Sequence, residues 1–182
     1  MSTVFILTTE EHHLRQVLEL QCRYHIDTLG KQERGFLTFK AQDLEEMVEL
    51  AEDMGVIVAL DGDTVVGYDI LMSYQKAQQH PLYTRAVGKY TTLNPQINPS
   101  QIGVSAQYCM SESYRGGRNV RRMFEIEWER MRQKGCVVSI GEVDSLNAIS
   151  LACVTRILGY TIIGDYYSDD GTTLWKVASK ML

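Results

Sequence analysis

The stretch from Ile102 to Phe124, which runs IGVSAQYCM-SESYRGG-RNVRRMF, decides the fold class. Its first nine residues are mostly apolar or β-branched and predict a strand over Ile102–Met110. Two glycines then interrupt the pattern, and apolar residues at helical spacing predict a helix from Arg118 to about Gln133. A strand, a glycine turn and an amphipathic helix in this order form one unit of a mixed α/β architecture.

The glycine turn has the composition of an anion site. Glycine lets the backbone approach a ligand closely, and the N–H groups at a helix N-terminus carry a partial positive charge that favours a phosphate or pyrophosphate. Arginines at 115, 118, 121 and 122 would add charge-assisted hydrogen bonds. A plain turn before a solvent-exposed, arginine-rich helix face explains the segment alone equally well.

Length and composition restrict the class of protein. The 182 residues fit a single domain over 1–182. A net charge of −5 disfavours a nucleic-acid partner and suits a cationic or neutral one. No apolar run approaches the roughly 20 residues of a membrane span. The stretch from Met1 to Leu7 lacks the basic region and cleavage site of a signal peptide. We therefore expect a cytoplasmic protein without a membrane partner.

The four cysteines favour the same compartment. Cys22, Cys109, Cys136 and Cys153 have none of the close spacings that zinc sites and redox motifs use, and each lies in an apolar stretch. We expect four buried free thiols in a reducing compartment and no metal.

Apolar periodicity predicts the remaining elements. The predicted strands are Val4–Thr8, Val56–Leu60, Thr64–Met72, Cys136–Val143, Tyr160–Tyr167 and Thr172–Ala178, and the further helices are Glu10–Thr28, Ala41–Met54 and Asn147–Leu158. A break near Gly30–Gly35 separates the first two helices. The stretch Ser73–Gln101 holds all three prolines and predicts an irregular excursion with at most one short helix. The order predicts an α/β (α+β) fold whose mixed, largely antiparallel sheet has helices on both faces.

These motifs resemble those of the GNAT superfamily of N-acetyltransferases. In that family a strand ends in a small apolar residue and is followed by a Tyr-Arg-Gly-x-Gly-x-Gly/Ala turn and a helix. The matching residues here are Met110, Tyr114-Arg115-Gly116, Met123-Phe124, Val143, Asn147, Gly159-Tyr160 and, in the hairpin, Asp61-Gly62 and Gly67-Tyr68. Arg118 and Val120 depart from the pattern, because the family usually has glycine or alanine there. The resemblance spans nearly the whole chain and implies a GNAT-like central sheet of about seven strands.

The resemblance also implies acetyl-coenzyme A (acetyl-CoA) as the acyl donor, with no metal. The pantetheine arm would pair with Tyr108, Cys109 and Met110, and the N–H groups of Arg115, Gly116, Gly117, Arg118, Asn119 and Val120 would hold the pyrophosphate. Asn147 would contact the pantetheine with Ser150 nearby. Asparagine also suits a helix N-cap, and the two roles can coexist.

Catalysis of acetyl transfer to an amine requires a base for the ammonium proton and an acid for the departing thiolate. The family often uses a glutamate on the strand before the signature turn and a tyrosine on the last helix, and this sequence has neither. Glu142 is the candidate base, with Asp69 and Asp144 as competitors, and Tyr108 is the candidate acid. The tyrosine position falls at Val154 or Thr155. We expect Glu127 to pair with an arginine such as Arg130.

The acceptor is expected to be a primary amine of a small molecule or protein that attacks the thioester directly in a ternary complex. The family holds it with segments that correspond to Thr28–Lys40 and Ser73–Gln101. A catalytically inactive CoA-binding module is the alternative, and a nucleic-acid contact through the arginines is disfavoured by the acidic balance. The protein is expected to be a monomer or homodimer.

Overall fold

Seven strands form one sheet in the order β1-β2-β3-β4-β5-β7-β6. The computed structural model describes residues 3–29, 35–38, 41 and 43–182. The strands are β1 (Val4–Thr8), β2 (Gly55–Asp61), β3 (Thr64–Ser73), β4 (Ile102–Met110), β5 (Val138–Asp144), β6 (Thr161–Tyr167) and β7 (Leu174–Met181). Every neighbouring pair is antiparallel except β4 and β5, which are parallel. The predicted mixed, largely antiparallel sheet is confirmed.

Helices cover both faces of this sheet. They are α1 (Glu11–Tyr24), α2 (Ile26–Leu29), α3 (Leu44–Asp53), α4 (Tyr74–Gln79), α5 (Thr84–Leu93), α6 (Gly117–Gln133) and α7 (Ala148–Ala152). A π-helical turn over Cys153–Ile157 continues α7. One face packs against α1, α3, α4 and α5, and its core includes Leu14, Met47 and Val87. The other packs against α6, whose buried residues include Met123, Phe124 and Trp128.

Local sequence explains the β2–β3 hairpin and helix α6. The β2–β3 hairpin turns at Gly62, whose φ of 61° lies in the left-handed region that favours glycine. Helix α6 buries an apolar stripe spaced three and four residues apart, from Val120 to Met131. The chain leaves that helix through Gly135, at φ 84°. The hairpin, strand β4 and helix α6 were all predicted within a residue or two.

The helical predictions need three corrections. The predicted helix Glu10–Thr28 is two helices that meet at His25, and the helix Ala41–Met54 begins only at Leu44. The stretch Ser73–Gln101 is not an irregular excursion, since it forms α4, α5 and a 3₁₀ turn at Pro99–Gln101. The predicted break near Gly30–Gly35 lies mostly outside the described residues.

Two predictions about single side chains were wrong. Cys22 is exposed, whereas Cys109, Cys136 and Cys153 are the buried free thiols. Glu127 does not pair with Arg130, because the Nε of Arg130 donates to the carbonyl oxygen of Met54 at 2.9 Å. In the part of the chain that the structure describes, no helix is long and apolar enough to cross a membrane.

Candidate functional site

The parallel strands β4 and β5 diverge and open a cleft. They pair only from Ile102 with Val138 to Val104 with Ile140. On the other side of β4 the register against β3 shifts by one residue, which leaves Ala106 as the extra residue of a bulge. Beyond this point the edge of β4 that faces β5 has no strand partner among the residues that the structure describes. The cleft between them has a volume of about 620 Å³.

The N-terminus of α6 lies at one end of this cleft. Its first intrahelical hydrogen bond runs from the N–H of Val120 to the carbonyl oxygen of Gly116 at 3.2 Å, so the N–H groups of residues 117–119 precede the helical ladder. A Cβ built on Gly116 would have nothing within 4 Å, and one on Gly117 would only touch Ile157 at 3.5 Å. This open backbone is compatible with a pyrophosphate group lying against the turn.

Most of the predicted cofactor-binding residues line the cleft together. They are Tyr108, Cys109, Met110, Arg115, Gly116, Gly117, Val120, Asn147 and Ser150. Arg118 and Asn119 instead line a separate groove beside Thr3–Phe5, so their side chains point away from the cleft. The bulky Arg118 therefore leaves the turn open, although it departs from the family pattern. The side chain of Arg115 is engaged locally: its Nε donates to the carbonyl oxygen of Met110 at 2.9 Å.

Tyr108 connects β4 to α7 across the opening. Its hydroxyl lies 3.0 Å from Oγ of Ser150, and its ring meets Phe124 edge-on at 5.2 Å between centroids. Burial, with Cys153 nearby, raises the pKa of this phenol well above its usual value. Tyr108 therefore remains a proton donor at neutral pH.

Asn147 begins α7 and reaches a second segment. Its Oδ1 accepts the N–H of Ser150 at 3.2 Å, which is the N-cap geometry that the sequence allowed. Its Nδ2 donates to the carbonyl oxygen of Phe36 at 3.0 Å. The amide thus joins the start of α7 to the segment Phe36–Thr38, which also lines the cleft.

Glu142 lies on β5 at the other end of the cleft, among tyrosines. The hydroxyl of Tyr166, on β6, donates to its Oε2. Burial raises the pKa of Glu142 to about 8, and the bond from Tyr166 counteracts part of that rise. Tyr83 lies nearby and donates its hydroxyl proton to the carbonyl oxygen of Ala106, at the bulge, over 2.6 Å. A carboxyl group that titrates near neutral pH beside an open strand edge can accept a proton from a bound amine.

No protein-family model and no curated protein matches the sequence. Solved structures match its fold along almost the full length. An acetyltransferase of the GNAT family from Streptococcus pneumoniae is 12% identical with a TM-score of 0.67, over 100% of this chain and 99% of that one. The yncA protein of Salmonella typhimurium, solved with its cofactor acetyl-CoA, is 12% identical with a TM-score of 0.69, over 100% and 95%. The ribosomal-protein-S18-alanine N-acetyltransferase of Escherichia coli is 11% identical with a TM-score of 0.64, over 99% and 94%. The chain has the GNAT acetyltransferase fold.

One of the competing carboxyl groups, Asp69, lies outside the cleft. Asp69 is fully buried on β3 beneath α6 and does not line the cleft. Burial, and then the charge of Glu127, raise its pKa well above the usual range, so Asp69 keeps its proton at neutral pH. Glu127 accepts the hydroxyls of Ser105, Ser139 and Tyr160, at 3.0, 3.1 and 3.2 Å. Glu127 is therefore held by hydroxyl groups and not by the arginine ion pair that we expected.

Asp144 lines the cleft but is only 3% exposed. Its Oδ1 accepts the N–H of Leu146 at 2.9 Å, which fixes the turn after β5. Glu142 is therefore the better placed of the two carboxyl groups of β5.

The thiols in this GNAT cleft are poor nucleophiles. Burial raises the pKa of Cys109 to about 12, even though the charge of Arg115 opposes the rise. Burial also raises the pKa of Cys153. Since the thiolate is the reactive form, neither cysteine is suited to form a covalent acyl intermediate at neutral pH. Within residues 3–29, 35–38, 41 and 43–182, no group of three histidine, cysteine or acidic residues is arranged to hold a metal ion.

Sequence reasoning missed Tyr166, the hydrogen-bond donor to Glu142. It lies on β6, and its approach to Glu142 depends on how β7 pairs with both strands, which periodicity does not reveal. Tyr83 lies in the stretch Ser73–Gln101, for which the sequence predicted at most one short helix. The position at which the family often has a tyrosine is the π-helical turn, where Val154 lines the cleft.

Proposed function

We propose that this protein is an N-acetyltransferase that moves the acetyl group of acetyl-CoA to a primary amine by direct attack in a ternary complex. The observation that carries the proposal is the cleft between β4 and β5, with an open helix N-terminus at one end and Glu142 at the other. The fold neighbour solved with acetyl-CoA is consistent with this assignment.

The cleft can be divided into a cofactor half and an acceptor half, which lie on opposite faces of the sheet. The cofactor half comprises Tyr108–Met110, Gly116, Gly117 and Val120 with the π-helical turn, on the side of α6. The acceptor half comprises Tyr24, Phe36, Leu37, Leu82, Tyr83, Glu142, Asp144 and Trp175, on the side of α1 and α5. The edge of β4 that has no partner offers backbone groups to the amides of a pantetheine arm, and the start of α6 offers N–H groups to its pyrophosphate.

Glu142 and Tyr108 have complementary proton-transfer roles in this proposal. An ammonium group must lose two protons to become an amide. The first passes to the Glu142 carboxylate, which frees the nitrogen lone pair to form the N–C bond as the C–S bond breaks. Tyr108 donates a proton to the departing sulfur and regains one from the nitrogen through solvent, so one amide, one thiol and one protonated Glu142 result. The raised pKa of the Cys109 thiol supports direct transfer over an acyl-cysteine route.

Two measurements on the wild-type protein test the proposal. Acetyl-CoA at millimolar concentration should raise the melting temperature, because a ligand that binds only the folded state stabilises it, whereas a nicotinamide dinucleotide should not. Release of free CoA thiol on addition of primary amines should then show turnover. A thermal shift without thiol release for any amine would favour the inactive CoA-binding module. The absence of any shift would count against the cofactor itself.

A further inference from the structure

Helices α4 and α5 close one side of the acceptor half. Three side chains tie this helical segment to the edge strand and to the bulge: Lys89 Nζ donates to the carbonyl oxygen of Asp165 at 2.7 Å, Arg85 Nη1 to that of Tyr167 at 2.8 Å, and Tyr83 Oη to that of Ala106 at 2.6 Å. The segment therefore spans the sheet face from β6 to β4. Leu82 and Tyr83, at the junction of the two helices, form a wall of the cleft.

The walls of the acceptor half are apolar and largely aromatic. Phe36 and Leu37 cover it from the chain that follows α2, and they are 6% and 9% exposed. Trp175 lies opposite Asp144 on one side and Tyr166 on the other, so its side chain is on the same face as both. Tyr24 completes the wall. The centre of its ring lies 5.2 Å from the guanidinium carbon of Arg115. An apolar group bound here would bury its surface against these side chains.

In the described part of the chain, the acceptor half has two acidic side chains, Glu142 and Asp144. Of its two acidic residues, Asp144 is 3% exposed and bonded to the turn after β5, which leaves Glu142 for the substrate. A second ammonium group, as in a polyamine, would lie among the apolar side chains of the wall, and desolvation of such a charge is costly. A substrate carboxylate would be repelled by the Glu142 carboxylate at pH values above its pKa of about 8.

We propose that the acceptor is a small primary amine carried on an aromatic or branched apolar group, and not a polyamine or a peptide N-terminus. This inference rests on the acetyl-transfer function proposed above. The backbone amides of a peptide acceptor would meet apolar lining side chains such as Phe36, Leu82 and Trp175. Unpaired amides in such surroundings reduce affinity.

The test compares acceptors of equal concentration by release of CoA thiol. The apolar probes are 2-phenylethylamine and 3-methylbutylamine, and the competitors are spermidine and a decapeptide with a free N-terminal alanine. We expect kcat/KM to be about tenfold or more higher for the apolar amines, since discrimination by a pocket of this kind is commonly of that size. Calorimetric titration of each probe into the protein saturated with CoA gives a second measurement that does not require turnover.

Leu82→Glu provides a matched test within the protein. A further carboxylate, placed in the apolar wall, should lower kcat/KM for 2-phenylethylamine about tenfold while shifting the ratio of rates towards 1,4-diaminobutane. Leu93→Glu is the control, since Leu93 lies on the same helical segment but is 53% exposed and outside the cleft. It should leave both rates unchanged.

The outcomes separate the two proposals. Faster turnover of spermidine or of the peptide would overturn the acceptor class and leave acetyl transfer intact. Binding of 2-phenylethylamine to the CoA complex without any thiol release would support the acceptor class and overturn the catalytic function. If the apolar amines neither bind to the CoA complex nor cause release of CoA thiol, this inference is overturned.

Discussion

Tyr166 donates its hydroxyl proton to Glu142 across an intervening strand. Glu142 lies on β5 and Tyr166 on β6, while β7 runs between them and pairs with both. Val177 of β7, the partner of Glu142, is completely buried. The contact therefore depends on the packing of three strands, and it counteracts part of the rise in the Glu142 pKa that burial causes.

Replacement of Glu142 by glutamine should remove the base. Since only the ionised carboxyl accepts a proton and the Glu142 pKa is about 8, wild-type turnover should rise with pH through that value. Glu142→Gln should lower kcat on the order of a hundredfold with little change in KM for acetyl-CoA. Rates for both proteins with one amine between pH 6 and 10 decide this. Glu129→Gln, an exposed position on α6, is the control. Profiles that coincide within a factor of about two would make Glu142 structural.

Tyr166→Phe should move the pH profile without abolishing activity. The hydrogen bond from Tyr166 favours the ionised carboxylate and lowers the Glu142 pKa, so its loss should raise that pKa further. Because hydrogen bonds to charged groups contribute about 1.5–3 kcal/mol, the inflection should shift upward by about one pH unit or more. The maximal rate at high pH should be largely retained. Tyr167→Phe, at a 60% exposed neighbour, should not move the inflection. A downward shift in Tyr166→Phe would contradict this reading of the contact.

Gly116→Val should impair cofactor binding more than folding. Its φ of 170° is extended backbone that valine also adopts, and the new Cβ would meet nothing within 4 Å. The side chain would project into the open space before α6, where the pyrophosphate is proposed to lie. We expect the Kd for acetyl-CoA, measured by calorimetry, to rise about tenfold or more while the melting temperature stays within a few degrees. Gly88→Val, exposed on α5, is the control. Unchanged affinity would refute the pyrophosphate position.

Asp69→Asn should make stability less dependent on pH. The folded protein keeps the Asp69 proton at pH values where an unfolded aspartic acid has lost it, so the free energy of unfolding falls as pH rises above about 4. Asparagine has nearly the same shape and cannot ionise. The variant should therefore melt several degrees higher than the wild type at pH 8, and the two should approach each other at pH 5.

Glu127→Gln is the contrasting variant for this buried pair. It replaces an oxygen that accepts hydroxyl protons with an amide N–H₂, so at least one of the bonds from Ser105, Ser139 and Tyr160 is lost. It should melt below the wild type across the pH range. A loss of stability in Asp69→Asn at all pH values would contradict a protonated Asp69 in the folded protein.

The sequence predicted the elements whose signals are local. Strand β4 and helix α6 have clear periodicity and a glycine turn between them, and both matched within a residue. Helices α4 and α5 were missed because they are short, and burial against the sheet stabilises them more than local preference does. The candidate base was found from its position on a strand, whereas its partner Tyr166 depends on the register of two further strand pairs.

The two variants Asn147→Asp and Asn147→Ala separate two roles of this side chain. Aspartate keeps an oxygen that can accept the N–H of Ser150, but it replaces the N–H₂ that donates to the Phe36 carbonyl. Alanine loses both, and the loss of an N-cap costs about 1 kcal/mol, so it should melt a few degrees lower than the aspartate variant. The same two variants also test how Asn147 shapes the cleft. Phe36 belongs to the proposed acceptor half, and we expect KM for the amine to rise several-fold in both variants. KM for acetyl-CoA should rise as well if the amide also holds the pantetheine arm, as the resemblance implies. An unchanged KM for the amine in Asn147→Asp would show that the bond to Phe36 does not shape the acceptor half.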